Sequence, residues 1–340
     1  MRYRTVNSSA PSPGLGGAKI RHLPSLHSNR YVWTMGDDNE AWMSDLAAAL
    51  RVRPGARVTV AEDFDPSYQP SVIAKRDHEA LLSESVQLLA SYQTRLAAQG
   101  THGVLLCLQG IDGSGKDSTI RHVMSGVNSQ GVHVSSFKEP SKEEETHDYL
   151  WRHARRLPAR GEIGIFNRSH YEEVLVARVH PEVLDGEQLP LEAEEGDVWK
   201  RRYREINEWE RYLTDNGIRV LKVLLNISKE KQRTRFLRRL DLPDHTWKFS
   251  AADIRERGYW DDYQHAFSEM LSATSTDWAP WYVIPANRKW FAHICVSAVL
   301  VQTLAAINPQ YPVVNADELR AEHLARQTLL AEAPEGAPPT

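Results

Sequence analysis

The segment Gln109-Gly110-Ile111-Asp112-Gly113-Ser114-Gly115-Lys116-Asp117-Ser118-Thr119-Ile120 constrains the fold more than any other stretch of this 340-residue chain. It follows the apolar run Gly103 to Leu108 and leads into a helical pattern, so it reads as a glycine-rich turn between a strand and a helix. Glycine permits positive φ and close backbone approach, successive N–H groups form an anion nest, and the helix N-terminus adds its positive dipole. Lys116 then neutralises phosphate oxygens. A glycine-rich turn alone is an ordinary connection. GxxxxGK behind an apolar strand is a phosphate cradle, with Gly113, Ser114, Gly115, Lys116, Asp117 and Ser118 as its phosphate-binding residues.

Two carboxylates distinguish this loop. Asp117 stands where a Ser or Thr commonly offers Mg²⁺ a hydroxyl. Asp112 sits inside the loop, where it repels the ligand unless a cation bridges the two; it is read as a metal ligand or as the group orienting an attacking phosphate. A turn-capping Asp is the plainer alternative.

Four further apolar runs, Val132 to Phe137, Glu162 to Phe166, Ile218 to Leu225 and Trp281 to Pro285, alternate with helical patterns. That alternation predicts right-handed crossovers and a three-layer α/β core over about 72–310, with a parallel central sheet. Before it, Leu82, Val86, Leu89 and Leu96 recur on one face and predict an amphipathic helix over 78–98. The charged stretch 226–278 is too long for a simple crossover and predicts extra helices projecting over one end of the sheet. The Ser, Pro and Gly-rich residues 1–30 and the tail 333–340 read as loose ends.

Forty-one Lys and Arg against 45 Asp and Glu leave a net charge of -4, which argues against global attraction to nucleic acid or to an anionic membrane. Cys107 and Cys295 each lie in an apolar run and read as buried thiols of a cytoplasmic protein. No signal peptide opens the chain, and the apolar stretch Ile294 to Ile307 reads as a buried helix, being shorter than the ~20 residues a bilayer requires.

Longer motifs carry a resemblance. Gly110 to Asn128, Phe137-Lys138-Glu139-Pro140, and Ile165-Phe166-Asn167-Arg168-Ser169-His170-Tyr171-Glu172-Glu173 running on to Val179 closely resemble the polyphosphate kinase 2 family. Trp247-Lys248-Phe249-Ser250, Tyr259 to Tyr263 and Trp278 to Pro285 continue the match, which covers about 72–305. The resemblance implies a P-loop kinase fold, similar to thymidylate kinases, with a helical lid within about 229–258, an N-terminal helical extension over 31–71 and a C-terminal helix and tail over 311–340. It implies phosphate transfer between inorganic polyphosphate and nucleotides (AMP, ADP, ATP), Mg²⁺ as cofactor with Mn²⁺ able to substitute, and a homo-oligomer, dimer or tetramer. The wording of the motifs is most like the subgroup acting on both AMP and ADP.

Residue by residue, the resemblance makes Asp112, Lys116, Arg168 and Arg178 catalytic and places Lys138, Glu139, Asn167, Tyr171 and Lys248 on the substrate side. The family has Asp or Asn at 167, so with Asn167 the metal chemistry rests more on Asp112. Glu172 and Glu173 each stand either as a ligand, through water, to a second Mg²⁺ or as part of a solvated helical face, with Glu173 taken as the metal candidate. Lys231, Arg235, Arg238 and Arg239 fall on one helical face; most such stripes are solvated, but here the stripe corresponds to the family's lid, with Arg235 and Arg239 on phosphate. The competing enzyme reading is an ATP-dependent nucleoside monophosphate kinase. A GTP switch lacks support because no Asn-Lys-x-Asp motif occurs, and a nucleic-acid binder lacks it because basic and aromatic residues do not interleave.

Overall fold

The structure is a computed structural model that describes residues 37–71, 73–185, 197–241 and 251–332. The expectations for residues 1–30, the 333–340 tail and Trp247-Lys248 fall outside those residues. Five strands, β1 (Gly103–Gln109), β2 (Val132–Ser136), β3 (Ile163–Asn167), β4 (Ile218–Asn226) and β5 (Trp281–Pro285), form one parallel sheet in the order β2-β3-β1-β4-β5. β1 is buried at every position and lies at the centre, which is why its sequence is an unbroken apolar run and not an alternation.

Among the described residues the ten longer helices are α1 (Asp37–Leu50), α2 (His78–Gln99), α3 (Lys116–Val123), α4 (Glu172–Val179), α5 (Val198–Asp215), α6 (Lys229–Asp241), α7 (Ala251–Gly258), α8 (Trp260–Thr274), α9 (Lys289–Ile307) and α10 (Ala316–Ala331). Along β1, Val104, Leu106 and Leu108 face a core shared with α1, α2 and α9, while Leu105 and Cys107 face the opposite side. Period-two side-chain alternation thus feeds two helical layers from one strand.

α9 is apolar enough by length and composition to cross a bilayer, yet the whole run Phe291 to Val301 is buried against α1, α2 and the sheet. Its apolar character on all sides is that of a helix enclosed by protein. The 226–278 stretch departs from expectation in one respect. Among the described residues α6 and α7 are the extra helices; α8 packs under the sheet with α4 and α5, burying Phe267, Met270 and Leu271, and so serves as the crossover between β4 and β5. Upstream, Val52 N–H donates to Trp281 O at 2.8 Å, so the segment after α1 runs along the free edge of β5 and covers it.

Candidate active site

The carboxyl ends of β1 and β3 flank the loop that the sequence singles out, as expected for a ligand site in an α/β sheet. Gly110 and Gly115 have φ of +150° and +106°, and Gly115 caps the start of α3. A Cβ on Gly110 would lie 2.7 Å from Ser114 Oγ and 2.9 Å from Leu225 O, so both its φ and its surroundings require glycine. Lys116 Nζ curls back across the loop to donate to Gly110 O at 2.6 Å, with Asp112 Oδ1 4.0 Å away.

The loop is held from behind by α6. Arg235 donates to the carbonyls of Gly113 and Ser114, both at 2.7 Å, and to Ala286 O at 2.6 Å, while Gln232 Nε2 donates to Asp112 O at 2.8 Å. In a trans peptide the N–H points opposite its C=O. Arg235 therefore turns loop carbonyls outward and leaves the Gly115 amide and the first N–H groups of α3 for an anion. Burial lowers the Arg235 pKa to about 10, with repulsion from Arg239 adding to it.

Arg168 faces the loop from β3. Its backbone is left-handed at φ +63°, and its guanidinium bridges two acids, Asp112 Oδ1 at 2.6 Å and Glu172 Oε2 at 2.9 Å. Burial alone would raise the Asp112 pKa, but Lys116 and Arg168 outweigh it and hold the carboxyl below its ordinary value. Burial and Arg168 lower the Lys116 pKa, against the pull of Asp112, Glu172 and Asp117. Glu172 and Asp112, together outweighing burial, raise that of Arg168. Asn167 Nδ2 donates to Asp117 Oδ1 at 2.9 Å, tying the end of β3 to the first turn of α3.

A cavity of about 1140 Å³ opens beside this centre. Asp112, Arg168 and Glu172 form its loop-side wall, and Phe137, Lys138, Glu139, Tyr149 and Phe267 line other parts.

Comparison with known proteins decides what this arrangement belongs to. The family model described as Polyphosphate kinase 2 (PPK2) matches residues 72–312. The chain belongs to the polyphosphate kinase 2 family. An ADP-polyphosphate phosphotransferase of Rhodopseudomonas palustris is 46% identical over 267 residues, 77% of this chain and 91% of that protein. An AMP/ADP-polyphosphate phosphotransferase of Meiothermus ruber is 44% identical over 266 residues, 77% of this chain and 94% of that one. Among solved structures, Polyphosphate Kinase 2 from Arthrobacter aurescens TC1 superposes with a TM-score of 0.75 at 38% identity, covering 85% of this chain and 97% of that one.

Polyphosphate kinase 2 enzymes generally need a divalent metal. Among the described residues no group of three or more His, Cys, Asp or Glu side chains is arranged to hold one. The donor chemistry fits a different mode: one ionised carboxylate, Asp112, beside a phosphate seat suits a hydrated hard cation that takes its remaining ligands from water and substrate phosphates. Glu173 does not fit a metal role. Its carboxylate lies 3.6 Å from Arg152 Nη2 and 3.9 Å from Arg202 Nη1, two buried guanidiniums that already neutralise it.

Two other sequence expectations are corrected by geometry. Tyr171 is not on the substrate side: it is fully buried, and its hydroxyl donates to Glu210 Oε1 at 2.8 Å. Arg178 does not face the phosphate loop; it pairs with Glu269 on α8 and lies over the Trp199 ring. Position at α4 explains both, because Tyr171 precedes its first turn, Glu172 takes its loop-facing side and its far side packs on α5 and α8.

Lys138 and Glu139 do line the cavity, and the Lys138 carbonyl accepts from Arg152 at 2.8 Å. Ser114 is buried, whereas Ser118 Oγ turns toward His293 Nε2 at 3.4 Å. Arg239 is paired with Asp253 of α7 at 3.5 Å, so it ties the two extra helices together. Sequence reasoning missed Gln232, which braces the loop, and Arg152 and Arg202, which enclose Glu173. No local pattern marks them, since their partners lie 14 to 120 residues away.

Proposed function

We propose that the chain transfers phosphate directly, in line, between inorganic polyphosphate and the nucleotides AMP and ADP, with Mg²⁺ as the metal and Mn²⁺ able to replace it. The observation that carries this reading is the meeting of Lys116 and Arg168 on Asp112 beside the cavity, in a chain of this family. Loop amides and Lys116 hold the phosphate being transferred, and Arg168 spreads the charge that grows on its oxygens in the transition state. Asp112 would hold the metal, whose charge offsets repulsion between two polyanions. A nucleotide phosphate is already ionised, so no residue need deprotonate the attacking oxygen. Positioning and charge carry the catalysis, and no covalent intermediate is required.

The cavity has aromatic walls at Phe137 and Tyr149 and carboxylates at Glu139, Glu144 and Asp148, which accept hydrogen bonds from hydroxyl or amino groups but repel phosphate. It suits the nucleoside, and the donor chain is left to the loop amides and Lys116. Closure of α7, whose Ala252 and Glu256 line the cavity, keeps water out. Incubating the purified protein with Mg²⁺ and long-chain polyphosphate, separately with AMP and ADP, should give ADP and ATP respectively. Product from ATP plus AMP, with none from polyphosphate, would favour a nucleoside monophosphate kinase instead. We further propose a cytoplasmic homo-oligomer: both cysteines are free and buried, and α10 buries no residue while exposing Leu319, Leu324 and Leu329.

A further inference from the structure

We propose that the buried pair Glu210 and Lys222 positions Arg168, acting through His170 and Tyr171. This rests on the proposed role of Arg168 above. Lys222 is a lone lysine inside β4, with Cα partners Cys107 on β1 and Trp281 on β5, and its side chain is wholly buried. Its three ammonium protons are all used: Tyr171 OH at 2.9 Å, Glu210 Oε2 at 2.6 Å and Thr274 O at 2.6 Å. Glu210, on α5, also wholly buried, receives the Tyr171 hydroxyl on Oε1 at 2.8 Å and has His170 Nε2 at 3.2 Å from the same oxygen. Neither charge lines the cavity.

A buried ion pair is weak evidence for stability, since apolar replacements of both partners are often neutral or better. What this one does accomplish is local. Arg168 holds φ +63°, a backbone conformation that L side chains avoid and that persists only where the surroundings over-determine it. Its own N–H donates to Leu108 O at 3.1 Å, Gln109 Nε2 donates to Ser169 Oγ at 3.1 Å, and Ser169 Oγ accepts from the Tyr171 N–H at 3.3 Å. The next two side chains, His170 and Tyr171, end on Glu210. Three consecutive residues are thus anchored in the protein interior, and Arg168 is the one that leaves the turn toward Asp112.

The test is a double-mutant cycle on the full chain, with melting temperature recorded for every variant. Tyr171→Phe removes one hydroxyl and keeps the ring; the paired change Glu210→Leu with Lys222→Met removes both charges together, so that no lone charge is left buried. Each is made with Arg168 present and in Arg168→Ala. With Arg168 present, Tyr171→Phe should lower kcat by about 10-fold to 100-fold while KM for AMP stays within about twofold, because misplacement by an ångström has effects of that size. In Arg168→Ala the same change should alter kcat by less than about twofold, as a group that acts only through Arg168 must. Titration with inorganic tripolyphosphate should run the same way, Tyr171→Phe weakening binding only where Arg168 is present. Wild-type kcat in a folded Tyr171→Phe protein, or equal losses in both backgrounds, would overturn the positioning role. A wild-type protein that takes no phosphate from polyphosphate would instead overturn the proposed function, and the tripolyphosphate cycle then decides the positioning.

Discussion

Lys116 is the residue whose loss should say most about the loop. Its ammonium reaches back to the Gly110 carbonyl across the seat that a phosphate would fill. Lys116→Met should leave the fold intact and lower phosphate transfer by at least about 100-fold, since one preorganised charge contact in a transition state is worth a few kcal/mol; near-normal turnover in the folded variant would remove the assignment. Two histidines set a second expectation. Burial, with repulsion from neighbouring cationic or titratable groups, lowers His153 to about 2 and His293 to about 3. Both stay neutral when folded, whereas in the unfolded chain a histidine protonates near pH 6.5. The unfolded chain therefore binds more protons below about pH 6.5, and stability should be full above that value and fall as the pH drops from it toward 3. Each histidine contributes a slope of about 1.4 kcal/mol per pH unit. Urea denaturation at pH 7, 6 and 5 should trace the loss, and His153→Asn should flatten it.

Helix α6 behaves differently from the solvated or phosphate-facing stripe that its spacing suggests. Of the four cations, Arg235 holds loop carbonyls and Arg239 holds α7. Lysine carries the same charge but lacks the planar fork that spans three carbonyls at once. Arg235→Lys should therefore lower kcat by about 10-fold or more with only a small change in the salt dependence of kcat/KM, because the loss is one of loop geometry. A role confined to steering the polyanion predicts near-wild-type kcat, with the salt slope unchanged, as steering depends on charge and is screened beyond about 8 Å. The two kinetic constants at two ionic strengths separate these outcomes.

Across the molecule, the N-terminal extension is bound into the sheet. Met43, Leu46 and Leu50 are buried against the α9 layer, and Ser275 Oγ donates to Val52 O at 2.7 Å on the other face. Removing residues 1–30 should leave kcat and melting temperature unchanged. Removing residues 1–63 should lower the melting temperature sharply, since each of Met43, Leu46 and Leu50 contributes about 1.5–3 kcal/mol by burial. Differential scanning of the two truncations checks both statements, and loss of turnover in a stable 31–340 protein would show that the first thirty residues act at the site.

The sequence alone was enough for the five strands, the phosphate loop, the buried α9 and the family, because each rests on short-range signals: apolar runs, glycine spacing and contiguous motifs. Its strand limits differ from the observed ones by a residue or so, as at Ile163–Asn167 for the expected Glu162 to Phe166. Partnership across the chain was another matter. That Arg235 grips Gly113 and Ser114, that Arg178 turns to Glu269, and that Tyr171 ends on Glu210 depend on how helices pack over distances of 39 to 122 residues. A motif specifies which side chain is present but not which side of its helix faces the ligand. Lys222 and Arg219 are both cations of β4, and only the folded arrangement shows that Arg219 is exposed while Lys222 is buried and paired with Glu210 from α5.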